Sequence, residues 1–257
     1  MLPNNFQPSD TFALIRLGSK YDGGYLVEKH SVAEAKTLLS FGIHDNWLFE
    51  KQFVKTNKIP LYAYDDESGL KLLIRNIVLS LGECFFKFRK PVQSLRNFIL
   101  HVYNPLDHML FFRGNRVINH VKVGYDSSNS ESLVTILSNG DIQYPIFIKC
   151  DIEGWEYRIL DEVIDHSEKI CGLVIEFHDV DLHIERIKKF IENFSLELVH
   201  IHPNNYGGLD DKYNPIAIEM TFAKFPKKVA STPLLPHPKD TPNDPDERDI
   251  LLKFGES

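Results

Sequence analysis

Disulfide-type cysteine pairs, long apolar runs, cationic excess and glycine-rich phosphate loops are all missing from this chain of 257 residues. Each absence removes a class of protein. The three cysteines, Cys84, Cys150 and Cys171, have neither paired nor metal-type spacing, which argues against a disulfide framework and a structural zinc site. Cys150 and Cys171 lie in apolar runs and read as small core residues in a reducing compartment. No stretch approaches the roughly 18 apolar residues of a membrane span. The opening Met1-Leu-Pro-Asn-Asn lacks a basic region followed by an apolar one, so a soluble cytoplasmic protein is the expectation. The net charge of −7 argues against a nucleic-acid backbone as the main partner, because such binding draws on a basic surface to displace counterions. Lys87-Phe-Arg-Lys90 could form a local basic patch, which a solvated face explains as well. Neither Gly-x-Gly-x-x-Gly nor a phosphate-loop pattern occurs.

What is present is enough for a full core, with 43% hydrophobic and 25% charged residues. Buried-type runs alternate with helical patterns. Thr37-Leu-Leu-Ser-Phe-Gly-Ile43, Ile59 to Tyr64, Val117 to Val123, Phe147 to Cys150, Gly172 to Asp179, Leu196 to His202 and Pro215 to Ala223 read as strands. The pattern predicts an α/β fold, a doubly wound and mostly parallel sheet with one ligand crevice at the strand ends. We read residues 1–257 as one domain. It has an extended arm and a hairpin over 1–30, a largely helical insertion over about 70–116, and a tail over 226–257 that wraps the surface. The insertion could be a lid, a substrate wall or a subunit contact, the last allowing a homo-oligomer. Ser31 is expected to cap a helix, with Glu34 three residues on.

Polar clusters fall at the predicted strand ends. Phe147-Ile-Lys-Cys-Asp-Ile-Glu-Gly-Trp-Glu-Tyr-Arg-Ile-Leu160 runs from a buried strand through acids and a glycine into a helix, so Asp151 and Glu153 would face the crevice. The plainer alternative is that Glu153, Glu156 and Asp161 enrich the first turn of a helix, where its dipole favours them. Gly42, followed by His44-Asp45-Asn46, forms a strand, glycine turn, helix unit that sets backbone amides beside a ligand. Asp65, about twenty residues on and at the end of the next strand, is where a carboxylate could accept from both ribose hydroxyls, unless it belongs to a solvated acidic turn with Asp66 and Glu67. Asp22-Gly23-Gly24 reads as a hairpin turn, or as glycines that let backbone approach a ligand closely.

Three constellations meet at the crevice: Asp151 with Glu153, Glu176 with His178, and His202 with Asn204 and Asn205. Either histidine could be a general base. Alternatively Asp151 with Glu176 or His178, and an oxygen of Asn205, could hold a hard divalent ion such as Mg or Mn.

Ile148-Lys-Cys-Asp-Ile-Glu-Gly-Trp-Glu-Tyr157 resembles the Leu-Lys-x-Asp-x-Glu-Gly-x-Glu signature of the FkbM-like S-adenosylmethionine-dependent methyltransferases. Asp22-Gly-Gly-Tyr25, Ser40-Phe-Gly-Ile43, Val174-Ile-Glu-Phe-His178, His202-Pro-Asn-Asn205, and the tail's Pro242-Asn-Asp-Pro245 with Asp249-Ile250 are similar to one branch of that family. The resemblance implies a Rossmann-like methyltransferase fold and O-methylation of a sugar or other small polar acceptor, a glycan or capsule-type saccharide foremost. Residue by residue it implies the methionine part at Gly42, the ribose at Asp65 and the adenine at Asp126 and Ser127. Asp151 and Glu153 would sit near the sulfonium and the acceptor. The first turn departs from the family in lacking a second glycine, with Asp45 and its neighbours there instead. For the chemistry, His178 or His202 is expected as base and Asp151 as the orienting group. A nicotinamide-dependent oxidoreductase and a non-catalytic nucleotide-binding module are the competing readings.

Overall fold

A computed structural model of the chain describes residues 1–66, 78 and 105–255. A hairpin of β1 (Leu14–Gly18) and β2 (Gly24–Glu28) precedes the main sheet. The sheet's strands are β3 (Thr37–Phe41), β4 (Leu61–Tyr64), β5 (Arg116–Asn119), β6 (Ile146–Cys150), β7 (Ile170–Phe177), β8 (Glu197–Leu209) and β9 (Pro215–Ala223). They lie in the order β8-β9-β7-β6-β3-β4-β5, with β9 antiparallel to both of its neighbours and the other pairings parallel. The expected doubly wound sheet is therefore borne out, and the fold is Rossmann-like. From β3 the chain steps outward to β4 and β5, then returns to β6 on the opposite side. That reversal between β3 and β6 is the topological switch point, where open α/β sheets bind ligands.

The strands form where they do because both faces are covered. All five residues of β3, and all five of β6, are buried, as expected of a central parallel strand read as a continuous apolar run. Alternation then divides the core. Ile146, Ile148 and Cys150 join Leu39 and Phe41 in the larger apolar cluster, whereas Phe147 joins Leu38, Phe49 and Phe53 on the other face. Lys149 shares that second face and ends at the crevice. Helices α1 (Lys29–Glu34), α2 (Leu48–Thr56), α3 (Leu133–Leu137), α4 (Leu160–Asp165) and α5 (Val180–Asn193) make the connections. Among the described residues no helix is long and apolar enough to cross a membrane.

Several local expectations are corrected. The cap of α1 is Glu28, whose carboxylate accepts from the Ser31 amide at 2.7 Å and the Ser31 hydroxyl at 3.1 Å. Ser31 itself lies inside the helix. The predicted strand Val117 to Val123 splits: β5 stays in the sheet, while Lys122–Val123 pairs with Ser130–Glu131. The strand predicted over Leu196 to His202 runs on as β8 out to Leu209. The arm is pinned, with Leu2–Pro3 pairing parallel to Phe254–Gly255. Of the expected insertion only Val78 and the stretch from 105 are described, helical over 105–111. Cys84, Lys87 to Lys90 and the suggested subunit contact lie outside the described residues.

Candidate active site

The carboxyl ends of β3, β4 and β6 open on a cleft of about 400 Å³. Gly42, His44, Asp45, Asp65, Asp66, Asp151, Glu153 and the hairpin's Gly23 all line it. Six of the residues expected at the cofactor thus meet in one place: Gly23, Gly42, Asp45, Asp65, Asp151 and Glu153.

Gly42 is there because nothing larger fits. Its φ is +75°, and an added Cβ would fall 1.6 Å from the carbonyl oxygen of Asp151. The two strand ends are drawn this close by the Asp151 amide, which donates to the Phe41 carbonyl at 3.0 Å. Beside it, one Asp65 oxygen accepts from the amides of Ile43 and His44 at 2.7 and 2.6 Å. This acid therefore braces the glycine turn as well as facing the cleft. Left-handed backbone recurs at the crevice, at His44 (φ 43°) after β3, Glu153 (φ 53°) after β6 and Asp179 (φ 50°) after β7. Such conformations in residues other than glycine gather at functional sites.

Asp151 is held from two sides. The Tyr25 hydroxyl donates to its Oδ2 at 2.9 Å, and Lys149 Nζ lies 3.4 Å from the same oxygen. Lys149 also donates to the carbonyl of Gly42. Burial acts to lower the Lys149 pKa, but Asp151 and buried Glu50 outweigh it and raise the value above the ordinary one, so this lysine is a fixed cation under the floor. Behind Asp151 sits Glu176, 4% exposed, accepting from Asn204 at 2.6 Å and from Tyr25 at 3.4 Å. Burial first, then the charges of Asp151 and Glu219, push its pKa well above the ordinary value.

His178 does not line the cleft, yet it reaches the acids that do. Its backbone amide donates to Glu156 Oε1 at 2.7 Å, and Nδ1 lies 3.2 Å from that oxygen. Nε2 is thereby turned toward Glu153 (3.4 Å), Glu176 (3.7 Å) and Asp151 (4.0 Å). Burial works to lower its pKa, but Glu156, Glu176 and Asp151 together raise it to about 9, so the resting ring carries a proton at neutral pH. Glu156 is not a solvated helix acid. It is fully buried, and its other oxygen accepts from the Gly154 amide at 2.9 Å.

Other expected residues are placed elsewhere. His202, 3% exposed, lies between Glu219 (3.6 Å) and Asp249 (3.3 Å) and does not line the cleft. Burial opposes its protonation, but those partners raise its pKa to about 10, so this ring, like that of His178, carries a proton at neutral pH, and what sets it apart is its distance from the cleft. Asn205 is turned away from Glu176 by strand alternation. Its side chain exchanges hydrogen bonds with the backbone of Asp244, and Asn204 is the amide that meets Glu176. Asp126 and Ser127 hold a turn: Asp126 accepts from the Ser132 amide (2.8 Å) and from Thr135 (3.0 Å) at the start of α3, and Ser127 meets the Ser130 hydroxyl at 2.7 Å. The cleft is lined there by Val123 and Trp155, with Lys122 4.9 Å above the indole and 3.5 Å from Asp66.

The sequence pattern gives no role to Tyr25, Lys149 or Glu50 and places Glu156 only in the first turn of a helix. The signal available was position: Lys149 stands two residues before Asp151 and so shares its side of β6, and Tyr25 ends the Asp-Gly-Gly-Tyr turn.

No protein-family model matches the chain, and no curated protein sequence matches it. Among solved structures it is similar to precorrin-6y C5,15-methyltransferase from Geobacter metallireducens, at 10% identity over 76% of this chain and 87% of that one, with a TM-score of 0.35. It is also similar to the fibrillarin/Nop5p complex structure (12% identity, 81% and 90% covered, TM-score 0.37) and to the METTL16 methyltransferase domain (7% identity, 74% and 72% covered, TM-score 0.37).

Proposed function

We propose that the cleft binds S-adenosylmethionine and that the protein is an FkbM-like methyltransferase, acting in the cytoplasm on a hydroxyl of a saccharide or other small polar acceptor. The observation that carries this reading is the convergence of Gly42, Asp65 and Asp151, from three adjacent strand ends at the switch point, on one acid-floored cleft. The volume of about 400 Å³ falls in the range of small-molecule sites. A positively charged sulfonium suits a floor of Asp151 and Glu153, and Asp65 stands where a ribose diol would meet an acceptor. With no glycine triplet at the first turn, a dinucleotide pyrophosphate is less well served.

Bound here, the cofactor would supply a methyl group on a sulfur that leaves without further activation. What falls to the chain is to exclude water, align the acceptor oxygen and receive its proton. Tyr25 and Lys149 fix Asp151 to orient the hydroxyl. Glu156 fixes the His178 ring so that Nε2, once the proton it carries at neutral pH has left, can receive that of the acceptor hydroxyl. His202, buried in its own ion pairs, takes no part in this scheme.

A second reading rests on donor spacing. Asp151, Glu153 and His178 can each offer one ligand atom within 4.8 Å of the others, a set of oxygen and imidazole donors that suits Mg or Mn. An ion held there would lower the pKa of the acceptor hydroxyl and anchor it. Glu176 and Asn205 do not belong to that set. Full turnover in the presence of a chelator would remove this variant; loss restored by magnesium would support it.

The cofactor assignment is tested by calorimetric titration with S-adenosylhomocysteine and, separately, with NAD. Binding of the first alone is the expected result. Binding of NAD alone would replace the reading with an oxidoreductase. Binding of S-adenosylhomocysteine with no turnover on any acceptor would leave a binding module.

A further inference from the structure

The tail motif Pro242-Asn-Asp-Pro245 has no part in the chemistry above, yet Asn243 is 2% exposed. Its single Nδ2 donates to Glu219 Oε1 at 2.8 Å and lies 3.3 Å from Asp22 Oδ1, while its backbone carbonyl accepts from the Asp22 amide at 3.3 Å. Asp22 and Gly23 line the cleft. An amide nitrogen with two N–H groups is suited to this position, because it satisfies two carboxylates without adding charge. A carboxylate in its place would be a third acid among acids. The flanking prolines restrict the backbone that presents it. On the far side of the same turn, Asn46 donates to the Ser19 hydroxyl at 2.9 Å, and the turn closes through the Ser19 amide on the Gly23 carbonyl at 3.2 Å. Asp244 is tied to Asn205 of β8 by two hydrogen bonds, and Thr241 donates to the Lys20 carbonyl. Tail, sheet and hairpin tip are thus joined through Thr241, Asn243 and Asp244, with Asn243 alone bonding both the hairpin turn and β9.

We propose that Asn243 is a positioning residue: it clamps the Asp22-Gly23 turn against the cleft and so sets the affinity of the cleft for its ligand. The identity of that ligand rests on the methyltransferase reading, but the clamp does not.

The test compares wild type with Asn243→Ala, and with Asn243→Ser, which keeps one donor, in the full chain. Hydrogen exchange reads the turn directly, and titration with S-adenosylhomocysteine reads the cleft. In Asn243→Ala the amides of Ser19 and Asp22 are expected to exchange faster by about tenfold, the effect of losing one to two hydrogen bonds at a locally opening segment, with the amides of β3 and β6 unchanged. Affinity for S-adenosylhomocysteine is expected to fall by about the same factor, with Asn243→Ser between the two proteins in both readouts. Unchanged exchange at Ser19 and Asp22 would overturn the clamp whatever the titration shows. Faster exchange with unaltered affinity would overturn its control of the cleft. If wild type does not bind S-adenosylhomocysteine at all, the cofactor reading fails, and the exchange measurement alone still decides whether Asn243 holds the turn.

Discussion

Gly42 and His178 show how much of the site is set by single side chains. At Gly42 a methyl group would meet a backbone oxygen at 1.6 Å on a left-handed residue, and a backbone atom cannot swing aside as a flexible side chain can. Gly42→Ala is expected to destabilise the protein by about 3 kcal/mol, the sum of overpacking and an unfavourable φ. The shift of its urea midpoint against wild type measures this. For the chemistry, His178→Ala should lower turnover by about 10²-fold, the usual scale for removing a general acid–base group. His202→Ala should leave turnover per folded molecule nearly unaltered and lower stability instead. Equal rate losses in both variants, measured on material shown to be folded, would contradict the separation of their roles. Histidines at two strand ends looked alike in the sequence because each followed a buried apolar run and stood in a polar cluster. Which carboxylates face the cleft and which face the tail depends on partners 22 residues away for His178 and 47 for His202.

Elements decide what their residues can do by where they turn them. Along β8, alternation sends Asn204 to Glu176 and Asn205 to the tail, so neighbours in sequence serve different parts of the molecule. At α3, Ser132 caps the helix by accepting from the Thr135 amide at 3.1 Å, and Asp126 binds the Ser132 amide and hydroxyl. Asp126 thus holds the helix start. Asp126→Ala should therefore lower the melting temperature, while affinity for S-adenosylhomocysteine stays within about twofold of wild type, since the loss is that of a cap and its turn. A large loss of affinity would return Asp126 to the cofactor. The strand, glycine turn, helix unit at Gly42 was legible because a continuous apolar run must break before α2 can begin. The split after β5 was not, because Lys122 and Val123 are extended in either arrangement and only their hydrogen-bond partners differ.

At the scale of the whole molecule, the sheet separates two apolar clusters and the tail closes over one edge. His202 of β8 and Asp249 of the tail form part of that closure, with Glu219 of β9 behind them. The His202 pKa of about 10 stands above the ~6.5 of an unfolded histidine, so the folded state binds this proton more tightly. Its contribution is complete below about pH 6.5 and is lost as pH rises through about 10. Unfolding free energy measured by denaturant titration between those values should decline in wild type, and the decline should be shallower in His202→Gln. An equal slope in both proteins would mean that another group carries the dependence.

The alternation of buried strands and helices, the absence of a glycine triplet, and the placing of Gly42, Asp65 and Asp151 at successive strand ends are all legible in the amino-acid order alone. Those properties follow from local periodicity, and in a parallel sheet the carboxyl ends of neighbouring strands come out on the same edge. It takes the packed fold to show that Lys149 and Tyr25 hold Asp151, that Glu156 is a buried anchor for His178, and that His202 and Asn205 bond the tail. Each of those assignments is a pairing of charges or hydrogen-bonding groups that must be satisfied once water is excluded. The partner that satisfies them is chosen by packing across the sheet, at a separation that local pattern does not encode.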